Sequence, residues 1–416
     1  MQQSKEVLII GGGPGGLTLA LELHARKIPF KIVEAATEYK PVGVGLNLLP
    51  HAVKKLGRLG VVDALLERGV TPKEYQFYTR SGQLVDSEKR GLSAGYEWPQ
   101  ISIHRADLHD VLLNAVVERA GSDVLNMDHK CIGVDQSDDY AIVHLEQTST
   151  RESLPDAHGA VAIACDGVHS IARVQLHPKE AVPRYEGTIM YRGTTRWKPF
   201  LGGTTQVYMG TTEFGKLITY PIRNNIDADG RQLINWVIEI DRPQEALKRD
   251  WNKQTSYEEF IEDMAERNFN FLDVPGIIKA AEVILEYPML DQDPLPSWTD
   301  GRITLLGDAA HPMMPRGSNG FAQAALDADV LSELLATESD WKVALKKYEN
   351  ARLDATSKVV LANRSIAPDG ILRVVEERTG GARFDDINQV ISQQEREDWQ
   401  RRYKEVIGFT VQDLKQ

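Results

Sequence analysis

The feature that most constrains this chain is a glycine-rich turn between an apolar run and a helical pattern near the N-terminus. The run Val7–Ile10 leads into Gly11-Gly12-Gly13-Pro14-Gly15-Gly16, which has the spacing G-x-G-x-x-G. In such a turn Gly11 permits the sharp bend, Gly13 lets backbone amides approach a pyrophosphate, and Gly16 lets the next helix pack against the strand. The N–H groups at the start of that helix also favour an anion. The pattern predicts a parallel α/β unit that binds a dinucleotide.

The residues after this turn narrow the choice of dinucleotide. Phe30–Val33 has the pattern of the next parallel strand, and Glu34 follows it, 18 positions after Gly16. An acid at this place accepts hydrogen bonds from the ribose hydroxyls of an adenosine, which favours FAD or NAD over NADP. Glycine-rich turns also occur without nucleotides, but the ordered set of strand, turn, helix, strand and acid favours the functional interpretation.

Composition excludes several classes of protein. The chain has 416 residues, 42% hydrophobic and 26% charged, as in a soluble globular protein of two or three structural units. No apolar run approaches the ~20 residues of a membrane helix, and residues 1–5 leave no room for a signal peptide, so we expect no membrane association and a cytoplasmic location. The two cysteines, Cys131 and Cys165, form no C-x-x-C pair, and we expect no metal site. The net charge of −12 argues against nucleic-acid binding.

A second marker lies in the last third of the chain. Residues 303–306 have a strand pattern, followed by Gly307-Asp308, a loop through Gly317 to Gly320, and a long helical pattern. Asp308, at a strand end, is placed to accept a hydrogen bond from a ribityl hydroxyl, and the start of the helix favours a group that becomes anionic, such as a reduced flavin. His311 is either an acid or base or, as we favour, a structural side chain.

The middle of the chain has a different pattern. Residues 187–237 contain alternating segments typical of an antiparallel sheet. We expect an α/β fold, in which a doubly wound, Rossmann-like domain carries an inserted antiparallel-sheet substrate domain and a helical C-terminal tail. The predicted ranges are 1–74, 100–182 and 288–364 for the dinucleotide-binding domain, 75–99 and 183–287 for the sheet domain, and 365–416 for the tail. We also predict helices over residues 52–66 and 257–268.

Two segments near the first motif allow two interpretations each. The glycine-punctuated loop of residues 42–50, which contains Val44 and Gly45, either lies against a flat ligand or is an ordinary packed loop. Arg105, at the junction of a predicted strand and helix, either lies beside the pyrophosphate or forms a surface ion pair.

Three separated motifs together resemble a known class. They are Gly11-x-Gly13-x-x-Gly16 with Glu34, then Asp166-Gly167-Val168-His169-Ser170-x-x-Arg173, then the Gly307-Asp308 run with Gly320, Ala324 and Asp327. In this order they resemble the single-component FAD-dependent aromatic hydroxylases, group A flavoprotein monooxygenases that include 4-hydroxybenzoate and salicylate hydroxylases. Within that class, the segments around Tyr287-Pro288 and Met190-x-Arg192-Gly193 look closest to the 5-methylphenazine-1-carboxylate 1-monooxygenase group.

The resemblance implies FAD as the cofactor and NAD(P)H as a transient electron donor. It assigns the glycines of the first motif and Glu34 to the ADP part, Arg105 to the pyrophosphate, and Asp308 to the pyrophosphate and ribityl chain. The implied cofactor-binding residues are Gly11, Gly13, Gly15, Gly16, Glu34, Val44, Gly45, Arg105, Asp166, Asp308, Gly317, Ser318, Asn319 and Gly320. Ser318 departs from the class, which usually has a glycine there.

The implied reaction is hydroxylation of an aromatic or heteroaromatic ring. NAD(P)H reduces FAD, O2 gives a flavin C4a-hydroperoxide, and an electron-rich ring attacks it. We assign no catalytic side chain, because the protein's part is to position the ring, exclude water and stabilise the reduced flavin anion. The alternative is an FAD-binding redox protein of the same fold, a sensor or reductase, without hydroxylation. A homodimer is a further expectation.

The insert is expected to form one wall of the substrate pocket. The candidate residues provide apolar and aromatic surface for a flat ring and one positive charge. They are Met190, Arg192, Tyr220, Trp236 and Met314. Arg192 suits a ring carboxylate, and a carboxylated bicyclic or tricyclic heteroaromatic fits the resemblance. The alternative is that Arg192 pairs with an acid elsewhere in the insert.

Overall fold

The computed structural model describes residues 5–39, 43–180, 183–242 and 253–406. The parts of our expectations that fall on residues 1–4, 40–42, 181–182, 243–252 and 407–416 lie outside the described residues. The strands are β1 Val7–Ile10, β2 Phe30–Val33, β3 Gly45–Leu48, β4 Glu74–Tyr78, β5 Leu84–Lys89, β6 Ile101–His104, β7 Leu125–Asn126, β8 His129–Gln136, β9 Ala141–Gln147, β10 Ser153–Gly159, β11 Val161–Ala164, β12 Arg184–Trp197, β13 Thr205–Met209, β14 Lys216–Arg223, β15 Gln232–Asp241, β16 Lys253–Thr255, β17 Asn268–Phe269, β18 Leu272–Asp273, β19 Ile284–Asp291, β20 Thr299–Asp300 and β21 Ile303–Leu305. The helices are α1 Pro14–Ala25, α2 Pro50–Arg58, α3 Val62–Arg68, α4 Arg105–Ala120, α5 Ile171–Leu176, α6 Val274–Lys279, α7 Gly320–Thr337, α8 Trp341–Ser365, α9 Ile371–Thr379 and α10 Gln393–Val406.

A six-stranded sheet carries both predicted motifs. Its strand order is β20-β21-β11-β1-β2-β7, and its neighbours are parallel except β20 and β21. Every residue of β1 and β11 is buried, as expected for strands covered on both faces, and α1 packs against both α4 and α7. The glycine turn after β1 and the Gly307-Asp308 turn after β21 therefore lie at the same edge of this sheet, which confirms the predicted doubly wound arrangement.

The inserted sheet has eight strands in the order β16-β19-β12-β15-β14-β13-β4-β5. Its neighbours are antiparallel except β13 and β4, which run parallel. One face packs against α6 and the segment around Phe260, and the other faces the six-stranded sheet. A separate three-stranded antiparallel sheet has the order β10-β9-β8, and β3 pairs with β6 in a short ladder of its own.

Several predicted boundaries need correction. The predicted helix over 52–66 is two helices, α2 and α3, because Gly60 between them has a φ of +64°. The predicted helix over 257–268 is a pair of short 3-10 turns, since Phe260 between them leaves the helical region (φ −143°) to bury its ring against Tyr191. The predicted boundary at 287/288 falls inside β19, because Tyr287 and Pro288 still pair with β12.

The helical tail packs onto the body of the protein. Its helices α9 and α10 bury apolar side chains against β4 and β5, in one cluster with Tyr75 and Phe77. Within the tail, Asp369 and Tyr403 are buried against the rest of the chain. Among the described helices, none is long and apolar enough to cross a membrane.

Candidate functional site

A cleft of about 630 Å³ lies between the two large sheets. One end is bordered by the glycine turn after β1, by Glu34 after β2, and by Asp166-Gly167 after β11. The other end is bordered by side chains of strands β12 to β15, and the loop 316–320 before α7 runs along the cleft. Open α/β sheets bind ligands at the carboxyl ends of their strands, and this cleft continues from that edge to the insert.

Gly11 and Gly16 are required by the protein itself. Gly11 has a φ of +101°, and a Cβ there would lie 2.7 Å from the carbonyl oxygen of Cys165. A Cβ on Gly16 would overlap the carbonyl oxygen of Gly11. These two glycines therefore let the turn close and let α1 approach the sheet.

Gly13 is different, because no described part of the protein requires a glycine at that position. Its φ of −70° and ψ of 176° are extended backbone that any residue adopts, and a Cβ there would have no described atom within 4 Å. The residue borders the cleft at the N-terminus of α1, where free N–H groups and the helix dipole favour an anion. A pyrophosphate close to the backbone explains this glycine, so the turn fits a dinucleotide.

Glu34 is held in place by two backbone amides. Its Oε2 accepts a hydrogen bond from the Gly12 N–H at 2.6 Å, and its Oε1 accepts one from the Ala36 N–H at 2.7 Å. Each carboxylate oxygen accepts two hydrogen bonds, so one acceptor position remains on each oxygen, and Glu34 borders the cleft. Two adjacent acceptors match the vicinal hydroxyls of a ribose.

The loop residues opposite this turn also border the cleft. Arg105 is exposed at the N-terminus of α4, and within the described ranges it forms no ion pair, so the structure does not contain the surface pair that we considered. Val44 and Gly45 lie beside it. The Gly45 N–H donates to Asn235 Oδ1 at 2.7 Å, which joins β3 to β15 of the insert.

The second and third motifs are connected by a buried arginine. Arg173 is 1% exposed and donates to the carbonyl oxygens of Ala309 and Ala310 at 3.2 and 3.0 Å. Burial lowers its pKa to about 10. Asp166 borders the cleft, accepts from the Ile171 N–H at 3.0 Å, and has its pKa raised by burial. Asp308 is exposed to the cleft and makes no hydrogen bond with the residues described.

His311 belongs to a structural network and does not line the cleft. Its Nε2 lies 2.6 Å from Asp327 Oδ2, and Arg352 Nε donates to the other carboxylate oxygen at 2.7 Å. Burial opposes ionisation of Asp327, but the neighbouring His311 and Arg352 prevail and lower its pKa. This geometry agrees with the structural interpretation of His311.

The loop 316–320 has two consecutive residues in the left-handed region. Gly317 has a φ of +71° and Ser318 a φ of +60°, so Ser318 takes the conformation that a glycine adopts more easily. Gly317, Ser318 and Gly320 border the cleft. Asn319 is fully buried, and its Nδ2 donates to the Tyr403 hydroxyl at 2.6 Å on the side of the tail.

The insert end of the cleft combines a small apolar group with polar and charged side chains. The predicted residues Met190, Tyr220 and Met314 line it, and Met190 and Met314 pack together with Val237 and Met289. Burial raises the pKa of Tyr220, which keeps its phenol neutral. The further residues that border this end, which we did not single out from the sequence, are Gln206, Tyr208, Lys216, Ile218, Val237, Glu239, Tyr287 and Asp369.

Arg192 is the cation of this end. Its Nη2 donates to the Gly45 carbonyl oxygen at 3.3 Å, and its guanidinium carbon lies 5.9 Å from the centre of the Tyr287 ring. Its Nε is buried and has no hydrogen-bond partner in the described chain. Burial lowers its pKa, and none of the described carboxylates forms an ion pair with it.

Trp236 corrects our list of pocket residues. Its side chain is 0% exposed and lies on the other face of the sheet, where its Nε1 donates to Thr195 Oγ1 at 3.1 Å. It packs there with Phe260, and a Cβ on Gly193, its partner across the strands, would overlap its ring. Successive strand residues point to opposite faces, so Val237 borders the cleft and Trp236 does not.

A buried ion triad borders the insert end and had little signal in the sequence. Lys216 Nζ lies 2.6 Å from Glu239 Oε2 and 2.6 Å from Asp369 Oδ2. Lys216 and Glu239 lie on neighbouring strands β14 and β15 at paired positions, which register alone could have suggested. Asp369 comes from the tail, and no local pattern links it to the other two.

The comparisons with known proteins decide the family. Residues 4–363 match the family described as FAD binding domain. The chain belongs to this family. It is 37% identical over 362 residues to a phenazine 1,6-dicarboxylic acid hydroxylase of Lysobacter antibioticus, which covers 86% of this chain and 89% of that protein. It is 27% identical to a 6-hydroxynicotinate 3-monooxygenase of Bordetella bronchiseptica, over 86% of this chain and 90% of that protein.

Solved structures agree on the fold of this FAD-binding family. A salicylate hydroxylase substrate complex has a TM-score of 0.73 at 22% identity and covers 100% of this chain and 98% of its own. HpxO of Klebsiella pneumoniae, complexed with FAD and uric acid, has a TM-score of 0.75 at 22% identity, over 99% and 98% of the two chains. The chain is thus an FAD-dependent flavoprotein monooxygenase of the aromatic hydroxylase type, as the three motifs predicted.

Proposed function

We propose that this monooxygenase hydroxylates a flat, carboxylated heteroaromatic of two or three fused rings, with NAD(P)H as the electron donor and O2 as the co-substrate. The observation that carries the proposal is the guanidinium of Arg192, which borders the insert end of the cleft without an ion-pair partner among the described residues. We also propose a homodimer in the cytoplasm, and sedimentation analysis tests the oligomeric state.

The chemistry of Arg192 favours a carboxylate. Burying a guanidinium is costly unless it is paired, and among the described residues the Nη2 of Arg192 bonds only to a carbonyl oxygen, at 3.3 Å. A carboxylate supplies two oxygens that match the planar fork of the guanidinium. The ring attached to it would then lie among Met190, Val237 and Met314, whose side chains offer apolar contact.

The names of two relatives support a carboxylated heteroaromatic substrate. The Lysobacter relative is named for phenazine 1,6-dicarboxylic acid and the Bordetella relative for 6-hydroxynicotinate. Both are heteroaromatic rings that carry a carboxylate. The apolar side chains Met190, Val237 and Met314 at the insert end offer contact to such a ring.

We further propose how the other end of the cleft holds FAD. Glu34 accepts the ribose hydroxyls, the amides after Gly13 and the Arg105 side chain bind the pyrophosphate, and Asp308 accepts from the ribityl chain. The loop 316–320 and Val44-Gly45 face the flavin ring. When bound, FAD supplies the redox and oxygen chemistry, while these residues bind it, orient it and keep water out.

Substitution of Arg192 by methionine tests the carboxylate assignment. We expect Arg192→Met to raise the KM for a carboxylated heteroaromatic by up to ~100-fold, because a charge-assisted pair in a desolvated site is lost. The KM for the decarboxylated analogue should change little. Steady-state NAD(P)H oxidation, with product analysis to separate hydroxylation from uncoupled turnover, gives both values.

The same strand offers a matched control. Arg196 lies four residues further along β12 and is exposed, so Arg196→Met makes the same chemical change outside the cleft. It should leave both KM values unchanged. Equal losses on the two analogues in Arg192→Met would remove Arg192 from the substrate site and leave the carboxylate assignment without support.

A further inference from the structure

The tail helix α10 reaches the loop that borders the cleft. The Tyr403 hydroxyl accepts a hydrogen bond from Asn319 Nδ2 at 2.6 Å and donates one to Asn363 Oδ1 at 3.1 Å. Tyr403 is 6% exposed, and both asparagines are fully buried. A phenol bonded on both sides and removed from water has one preferred position, so it is a rigid contact for the loop.

The same hydroxyl lies directly over the loop backbone. A Cβ on Gly317 would overlap the Tyr403 hydroxyl, so the side chain can take this position only above a glycine. Gly317 and Ser318 are both left-handed, a conformation that an isolated loop adopts at a cost, above all at the serine. Contacts from elsewhere in the fold must therefore hold the loop, and Tyr403 supplies one of them.

The helix that carries Tyr403 is anchored independently of the loop. Lys404 Nζ lies 2.5 Å from the buried Glu88, and Gln400 bonds to Asp86, both on β5. The Trp399 ring packs over Gly370, where a Cβ would lie 2.5 Å from it. These contacts fix α10 on the sheet domain and present Tyr403 to the loop from outside.

We propose that Tyr403 is a positioning residue for the loop 316–320, and that the docked tail helix thereby sets where the loop backbone faces the flavin. The inference rests on the proposed function, because it takes this loop to border the flavin ring. Tyr403 itself lies behind the loop and does not line the main cleft. Its effect on the cofactor passes through Asn319 and the backbone of Gly317.

The conservative variant Tyr403→Phe keeps the packing of the ring and removes the hydroxyl. Asn319 Nδ2 then loses its acceptor in a buried place, and the loop is free to relax. We expect the dissociation constant of FAD to rise about tenfold, which corresponds to the loss of one buried hydrogen bond. We also expect the absorbance spectrum of the bound flavin to change, a result that a loss of overall stability would not produce.

The test uses the full-length holoenzyme and four variants. Tyr403→Phe, Asn319→Ala and their double variant form a mutant cycle, in which the double variant should bind FAD no more weakly than Tyr403→Phe alone. Tyr185→Phe on β12 is the matched control, because it also removes one phenol hydrogen bond, that of Tyr185 to the Arg242 carbonyl oxygen at 3.0 Å, at a side chain that does not border the cleft. It should leave the FAD affinity and the flavin spectrum unchanged.

Two results would overturn the inference. One is an FAD affinity and spectrum in Tyr403→Phe within twofold of the parent protein, and the other is an equal change in Tyr185→Phe. If Tyr403→Phe does not fold, Asn319→Ala alone must reproduce the loss of affinity and the spectral change. If Gly13→Val also leaves FAD bound, the proposed FAD site itself is wrong. If Gly13→Val releases FAD but Tyr403→Phe changes neither the FAD affinity nor the spectrum, only the proposed role of Tyr403 is refuted.

Discussion

Two glycine-containing loops border the same cleft, and they keep their shapes by different means. The turn 11–16 is determined mainly by its own residues, because Gly11 has a φ of +101° and a Cβ on Gly16 would overlap the Gly11 carbonyl oxygen. The loop 316–320 contains a left-handed serine and is held by distant side chains, Asn47 on β3 and Tyr403 on α10. A binding loop can therefore be specified by its own residues or by the fold around it, and only the first kind leaves a motif.

The largest expected effect comes from Gly16→Ala in the locally determined turn. Its Cβ would overlap the Gly11 carbonyl oxygen, so α1 must move away from β1, and we expect the free energy of unfolding to fall by about 3 kcal/mol. Chemical denaturation of the FAD-free protein measures this. Gly15→Ala is the control, because its Cβ would meet Ala324 at an ordinary 3.5 Å; a comparable loss there would show that the turn is not packed as described.

Gly13→Val separates binding from folding within the same turn. A Cβ at this position would have no described protein atom within 4 Å, so we expect the FAD-free variant to melt within about 1 °C of the FAD-free parent. The side chain fills the space beside the helix N-terminus, and FAD affinity should fall by at least about tenfold. Thermal melts of both apoproteins and a flavin titration give the two quantities. Full FAD occupancy in Gly13→Val would refute the assignment of this turn to the pyrophosphate.

Ser318→Gly probes the loop that depends on the rest of the fold, and its expected effect is the smallest. Glycine relieves the left-handed strain but adds entropy to the unfolded chain, so the free energy of unfolding should change by less than about 1 kcal/mol. Both variants remove the hydroxyl that accepts from Asn47 Nδ2 at 3.3 Å, but only Ser318→Ala keeps the strain, so it should be the less stable of the two. Denaturation curves compare them, and the reverse order would mean that the added entropy of the unfolded chain outweighs the relief of the strain.

The sequence alone was sufficient for the parts of the fold that have local signals. The buried run Val7–Ile10, the glycine turn and Glu34 predicted the first βαβ unit, because strand burial, tight turns and helix packing each restrict the residues that are possible there. The ordered motifs also led to the family and to FAD. The alternation of apolar and polar residues predicted the inserted sheet. It could not show which face of β15 borders the cleft, because the neighbouring residues Trp236 and Val237 are both apolar.

Only the tertiary structure decided which distant residues meet at the insert end of the cleft. It turned Trp236 away and left Arg192 without an acidic partner among the described residues. It also brought Asp369 of the tail to Lys216, at 2.6 Å, and Tyr403 to the loop 316–320. Such contacts join elements far apart in the chain, and the free energy that selects them comes from burial and pairing in the assembled core, which no local pattern of residues records.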